Sequence, residues 1–180
     1  MPKSLLGNVL LGCLVLNQLF AVAQAPKSGA AKKPAAKPAA ASGPVVVTPD
    51  NLKWGDAPPV LQPGAQLAVL AGNPNGTGPF AIRLKMPDGY KIMPHWHPTQ
   101  ENVTVISGEF HVGLGDKFDE TGMQALPVGS YAAMPARHHH YAVAKGETIV
   151  QVNGMGPFKL VYVNPDDNPS KTNKSTGGGQ

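Results

Sequence analysis

Between Phe80 and Met86 apolar and polar positions alternate without a break. Phe80, Ile82, Leu84 and Met86 fall on one side, Ala81, Arg83 and Lys85 on the other. A period of two marks a strand with one buried face. Together with β-branched enrichment, the same pattern predicts strands at 45–48, 66–70, 103–106, 109–114, 130–134, 141–144, 148–152 and 158–163. Gly, Pro and Asn fill the gaps, most densely at 72–79, where they read as turns. Nothing in 45–165 sustains the 3.6-residue apolar period of a helix. Short strands with turn signals every eight to twelve residues predict an all-β sandwich or barrel.

The flanks carry a different pattern. Residues 1–25 start with Lys3, continue with an interrupted apolar run from Leu5 to Phe20 and end at Ala23-Gln24-Ala25. This reads as a cleavable signal peptide with cleavage after Ala25. Two alternatives stand beside it: a retained membrane anchor, and a lipoprotein box at Leu10-Leu11-Gly12-Cys13. The apolar run is short and broken against the ~20 residues of a membrane-spanning helix. Residues 26–44 are low-complexity Ala, Lys and Pro, with no large side chain to bury; they read as a disordered linker, with contact to an anionic envelope surface as the alternative. Residues 166–180 read as a disordered polar tail. The expected organisation is thus signal peptide 1–25, linker 26–44, β-barrel 45–165 and tail 166–180, and the expected location is periplasmic or secreted.

Charge and cysteine narrow the class. The chain carries a formal +4, but 45–165 holds eight Lys/Arg against nine Asp/Glu, close to −1. The basic excess lies in the flanks, so no basic face for nucleic acid is expected on the barrel. The only cysteine is Cys13. Cleavage after Ala25 would leave none, which suits an oxidising compartment and removes any thiol nucleophile.

Candidate chemistry concentrates in the histidines. All six lie within the 46 residues from His95 to His140. His95 and His97 share a face on an extended backbone, and Glu101 joins them if the intervening turn keeps register. Two imidazoles and a carboxylate converging on one point suit a borderline divalent cation.

The spacing from Gly89 to Gly108 is that of the first cupin motif: Gly89, five residues, His95-x-His97, three residues, Glu101, six residues, Gly108. The second cupin motif is partial. Gly129, Pro135 and His140 match, whereas Arg137 stands where the motif has glycine and Ala144 where it has asparagine. Over roughly 60–165 the chain resembles a single-domain cupin of the type-2-like group. The resemblance implies a double-stranded β-helix, or jelly-roll, barrel holding a divalent transition metal (Mn, Fe, Co, Ni, Cu or Zn) on His95, His97, Glu101 and His140. Three neutral imidazoles and one carboxylate would leave about one positive charge on the ion and up to about two open positions. Arg137 leaves His139 and His138 as alternatives to His140, and an incidental surface cluster of histidines as another.

The remaining candidates read as structural. His111 reads as a strand-surface residue and Trp96 as outer packing; Tyr131, Met134 and Tyr141 flank the second motif as pocket or core residues, with a catalytic tyrosine as the alternative. Gly113-Leu114-Gly115 is too short for a phosphate loop, and no Gly-x-Ser-x-Gly occurs. The resemblance implies a metal-dependent enzyme of oxygenase or isomerase type acting on a small molecule. The alternatives are a non-catalytic ligand-binding or metal-sensing module, and a metal-free barrel. It also implies pairing through sheet edges into a homodimer. No catalytic residue can be assigned from sequence.

Overall fold

The computed structural model describes residues 43–172. Contacts divide the chain into two units, 1–41 and 42–180, and the described residues lie in the second. The expected signal peptide, and the expected linker up to Ser42, lie outside them. Nine strands follow in order: β1 Gly55–Asp56, β2 Gln66–Ala71, β3 Pro79–Met86, β4 Lys91–Trp96, β5 Glu101–Leu114, β6 Gln124–Leu126, β7 Tyr131–Met134, β8 His140–Met155 and β9 Val161–Tyr162. All pairings are antiparallel.

β5 and β8 run beside each other for their whole length, and each serves both halves of the curled sheet. One half reads β1-β2-β3-β8-β5-β7, using the 148–155 stretch of β8; the other reads β9-β4-β8-β5-β6, using its first residues from His140. The inward side chains of both halves make one core, in which Met86, Val105 and Val150 are fully buried. This is the all-β cupin barrel. The alternation at 80–86 is realised in full, with Phe80, Ile82, Leu84 and Met86 all in the core.

Two pairs of expected strands prove to be single bent ones. The segments 103–106 and 109–114 join as β5, and 141–144 and 148–152 join as β8. Gly108, at φ 73°, bends β5 without ending it. A Cβ there would lie 2.5 Å from the Glu147 carbonyl oxygen, so the position demands glycine on both conformation and space. The Lys145-Gly146-Glu147 stretch of β8, with Gly146 also at positive φ, reads locally as a turn for the same reason.

Three other expectations are corrected. Residues 45–48 form no strand, and Val45, Val46 and Val47 are exposed; β propensity stabilises a strand only where a neighbouring strand and a buried face exist. At 158–163 only Val161–Tyr162 joins the sheet, because Phe158 N–H bonds the Pro74 carbonyl instead and Lys159 serves the histidine site. Of the tail 166–180, the part up to Thr172 is described and holds a 3-10 turn at Pro165–Asp167 and the short helix α1 Pro169–Thr172. Its polar composition conceals two caps: Asn164 Oδ1 accepts from Asp166 N–H and Asn168 Oδ1 from Ser170 N–H. No helix among the described residues is long and apolar enough to cross a membrane.

Candidate metal centre

β4 carries the feature that aims the site. Ile92 and His95 are an odd number of residues apart, yet both face the interior cavity. Strict alternation would send one of them outward. The β4–β8 register shifts between Ile92 and His95, around Pro94, and this irregularity restores the inward direction. Bulges of this kind re-aim side chains next to functional sites, and proline, lacking a ladder N–H, is tolerated there.

His95, His97 and His140 come together in the barrel, each with at most 4% of its surface exposed, and one ring nitrogen of each lies within 4.8 Å of the others. His95 and His140 are direct ladder partners across β4 and β8. Glu101, the first residue of β5, points the same oxygen at two of them: Oε2 lies 3.2 Å from His140 Nε2 and 3.7 Å from His97 Nε2. Neither approach is a hydrogen bond, so both Nε2 atoms are buried without a partner.

The other face of each ring is tied down. His95 Nδ1 donates to the Met93 carbonyl at 2.8 Å, His97 Nδ1 to Lys159 at 2.8 Å and His140 Nδ1 to His138 at 2.9 Å. A carbonyl can only accept, so Nδ1 carries the proton in all three rings. In the neutral ring Nε2 is then a bare lone pair. Phe158 stacks on the His97 ring, with centroids 4.2 Å apart and planes 13° from parallel.

The electrostatics follow from burial. Burial, with the neighbouring His140 and His97 rings, pushes His95 down to about 3, and burial holds His97 below its usual value. Burial would lower His140 as well, but the Glu101 carboxylate outweighs it and the net direction is upward. Burial alone would raise Glu101; His140, His97 and His95 together overcome it and hold the carboxyl ionised below its ordinary range.

These residues fit a divalent ion. Three fixed lone pairs and one carboxylate converge, and two of the nitrogens lack any other partner. Nitrogens held ~2.1 Å from one ion stand about 3.0–3.4 Å apart at right or tetrahedral angles, so a set lying within 4.8 Å closes on an ion by drawing in by no more than about 2 Å.

The other histidines are elsewhere. His139 pairs with the Asp116 carboxylate at 2.6 Å, His138 is exposed and lends only its carbonyl, and His111 pairs with Glu109. Tyr131 hydroxyl bonds Asn102 and Tyr141 hydroxyl bonds the Asp119 carbonyl; neither lines the cavity, whereas Met134 does. Trp96 packs beneath the Arg137 guanidinium, 5.3 Å from the ring centre. Phe158 and the Lys159 carbonyl were not identified from sequence, since their roles depend on a contact 62 residues away that leaves no local pattern.

The comparisons with known proteins agree with this architecture. An acetylacetone dioxygenase structure from Acinetobacter johnsonii is 16% identical, covers 73% of this chain and 85% of its own, and superposes with a TM-score of 0.55. A polyketide cyclase from Streptomyces resistomycificus is 17% identical, covers 72% and 92%, and gives 0.54. A putative acetylacetone dioxygenase from Methylibium petroleiphilum is 20% identical, covers 69% and 83%, and gives 0.54. No curated protein matches the chain. At these identities the likeness is one of fold. Residues 22–161 match the family described as a domain of unknown function, DUF4437; the chain belongs to that family and has the cupin fold.

Proposed function

We propose that this is an exported metalloprotein in which His95, His97, Glu101 and His140 hold one divalent transition ion, Mn, Fe, Co, Ni, Cu or Zn, and present it to a small molecule. The observation that carries the reading is the shared tautomer. Three backbone carbonyls hold the Nδ1 protons, so three Nε2 lone pairs face one point beside a carboxylate. Buried imidazoles without partners cost free energy, and one cation satisfies them all. An ion there would supply Lewis acidity.

The chain's own residues do the rest. Met93, Lys159 and His138 orient the rings through their carbonyls, a support that tunes metal ligands generally. Glu101 supplies the negative charge, and the apolar walls formed by Val103, Phe110 and Val150 keep bulk water away. Structures sharing the fold include a dioxygenase and a cyclase, which supports metal-dependent chemistry on a small molecule, of oxygenase or isomerase type. Export rests on the Lys3 start, the apolar run and Ala23-Gln24-Ala25.

A second reading, a non-catalytic module that binds a small ligand at the ion, is favoured by the cavity itself. It contains no acid or base besides His95, Glu101 and His140. The test is metal content measured by mass spectrometry on the purified protein, wild type against His95→Ala and His140→Ala. One equivalent in the wild type and none in either variant supports the site; a wild type that takes up none of the six ions on reconstitution refutes it.

A further inference from the structure

The cavity beside His95, Glu101 and His140 has a free volume of about 40 Å³. That is room for about three or four waters at roughly 10–15 Å³ each, and too little for a substrate. A larger groove of about 640 Å³ adjoins it along the free edge of β6 and β7, a size typical of small-molecule sites. Val112, Ala132 and Met134 line both spaces. The partition is thin for a topological reason. Among the described residues β6 and β7 each pair with β5 alone, so no further ladder there closes the barrel on that side. Met134 is the ladder partner of Glu101, as Ala132 is of Val103, and both are only half-buried.

The groove also has a chemical character. Tyr131 and Tyr141 supply aromatic surface and Gln124 an amide, Asp119 is its one carboxylate, and no Lys or Arg lines it or the cavity. An anion passing this way meets Asp119 and then Glu101 with no cation to offset them. Apart from His95, Glu101 and His140, the cavity walls are apolar.

We propose that small molecules reach His95, Glu101 and His140 from this groove, between the edges of β6 and β7 and across Ala132 and Met134, and that the route admits neutral, largely apolar molecules. That such a molecule then meets a metal ion rests on the function proposed above; the route does not.

The test uses the metal-free protein at mildly alkaline pH. Diethyl pyrocarbonate, small and neutral, acylates unprotonated imidazoles, and peptide mass spectrometry reads each histidine separately. The exposed His138 and the partly exposed His139 serve as internal standards. Relative to them, Ala132→Phe is expected to slow acylation of His95 and His140 at least about fivefold by plugging the threshold, and Met134→Ala to speed it. A loosened fold would accelerate the reaction, so slowing in Ala132→Phe is not explained by partial unfolding. Rates unchanged in both variants, or faster in Ala132→Phe, overturn the route. For the ligand class, iodoacetamide and iodoacetate form a neutral and anionic pair of equal shape. His95 and His140 should favour the amide more strongly than His138 and His139 do; an equal preference overturns the class. Neither arm involves metal, so a protein that binds no ion defeats the metal reading and leaves these outcomes standing.

Discussion

The backbone N–H of Arg137 donates to the carbonyl of His97 at 2.8 Å, and Arg137 holds φ at 63°, alone among the described non-glycine residues in being left-handed. The second cupin motif has glycine at this position, and the chain keeps the glycine conformation with an arginine in it. A left-handed residue other than glycine costs roughly 1–2 kcal/mol. Two contacts offset that cost: the hydrogen bond to His97, and the guanidinium lying over Trp96 at 5.3 Å, worth ~0.5–1 kcal/mol at an exposed site. His140 is three residues on, so this turn couples the two histidine segments.

Arg137→Gly is therefore expected to change unfolding free energy by no more than about 1 kcal/mol, because relief of strain balances loss of the Trp96 contact. Arg137→Pro removes the N–H and locks φ near −65°; it should destabilise by ~3 kcal/mol or more and lose the bound metal. Urea unfolding and metal content measure both. A glycine variant destabilised as much as the proline variant would show that the side chain, not the turn, is what matters.

Gly108→Ala is expected to be severe. The new Cβ would sit 2.5 Å from the Glu147 carbonyl oxygen and 2.8 Å from Thr148 Cα, at φ 73°. Backbone cannot yield as a flexible side chain does, so strain and clash together should cost ~3 kcal/mol or more. Gly89→Ala shares the positive φ, at 71°, but has open space around its Cβ, and should cost only about 1–2 kcal/mol. Thermal or urea unfolding of the pair checks the ordering; equal losses would mean that the contact at the β5 bend contributes nothing.

The proposed fourth ligand can be separated from its neighbours. His140→Ala is expected to abolish metal binding, whereas His139→Ala should keep it and lose only the partly exposed pair with Asp116, worth ~1 kcal/mol or less. Metal titration of the two variants decides; retention by His140→Ala with loss by His139→Ala would move the site to the surface turn.

Acid should destabilise the metal-free protein early. Burial holds His95 down to about 3 in the folded state, against ~6.5 unfolded, so between those values the unfolded chain takes up a proton that the folded chain refuses. Stability then falls with falling pH by about 1.4 kcal/mol per unit for each such group, and His97, also held low, adds to the slope. Glu101, held low as well, contributes stability above its unfolded value and loses it on further acidification. His140 runs the other way: raised by Glu101, it stabilises fully below its unfolded value and stops doing so as pH rises through the folded one. The expected profile rises from about pH 3 to about 6.5 and softens above it. Urea midpoints across that range measure it; a flat profile would mean that the rings are not buried neutral.

Sequence alone determined the parts whose cause is local. Alternation at Phe80–Met86 specifies which side chains enter the core, and the His95-x-His97-x-x-x-Glu101 spacing with His140 marks the four groups that the fold brings together. What tertiary structure decided depends on distant partners. The β-branched run 45–47 stays exposed because no strand among the described residues pairs with it. The proline-bearing strand β4 carries His95 inward only because its register with β8 shifts after Ile92. The tautomer of His97 is set by Lys159, and its ring is held by Phe158. The thin wall at Ala132 and Met134 exists because, among the described residues, β6 and β7 pair with β5 alone. Side-chain period is written into consecutive residues; register, edges and second partners belong to pairs of segments far apart in the chain, and only the folded barrel brings those pairs into contact.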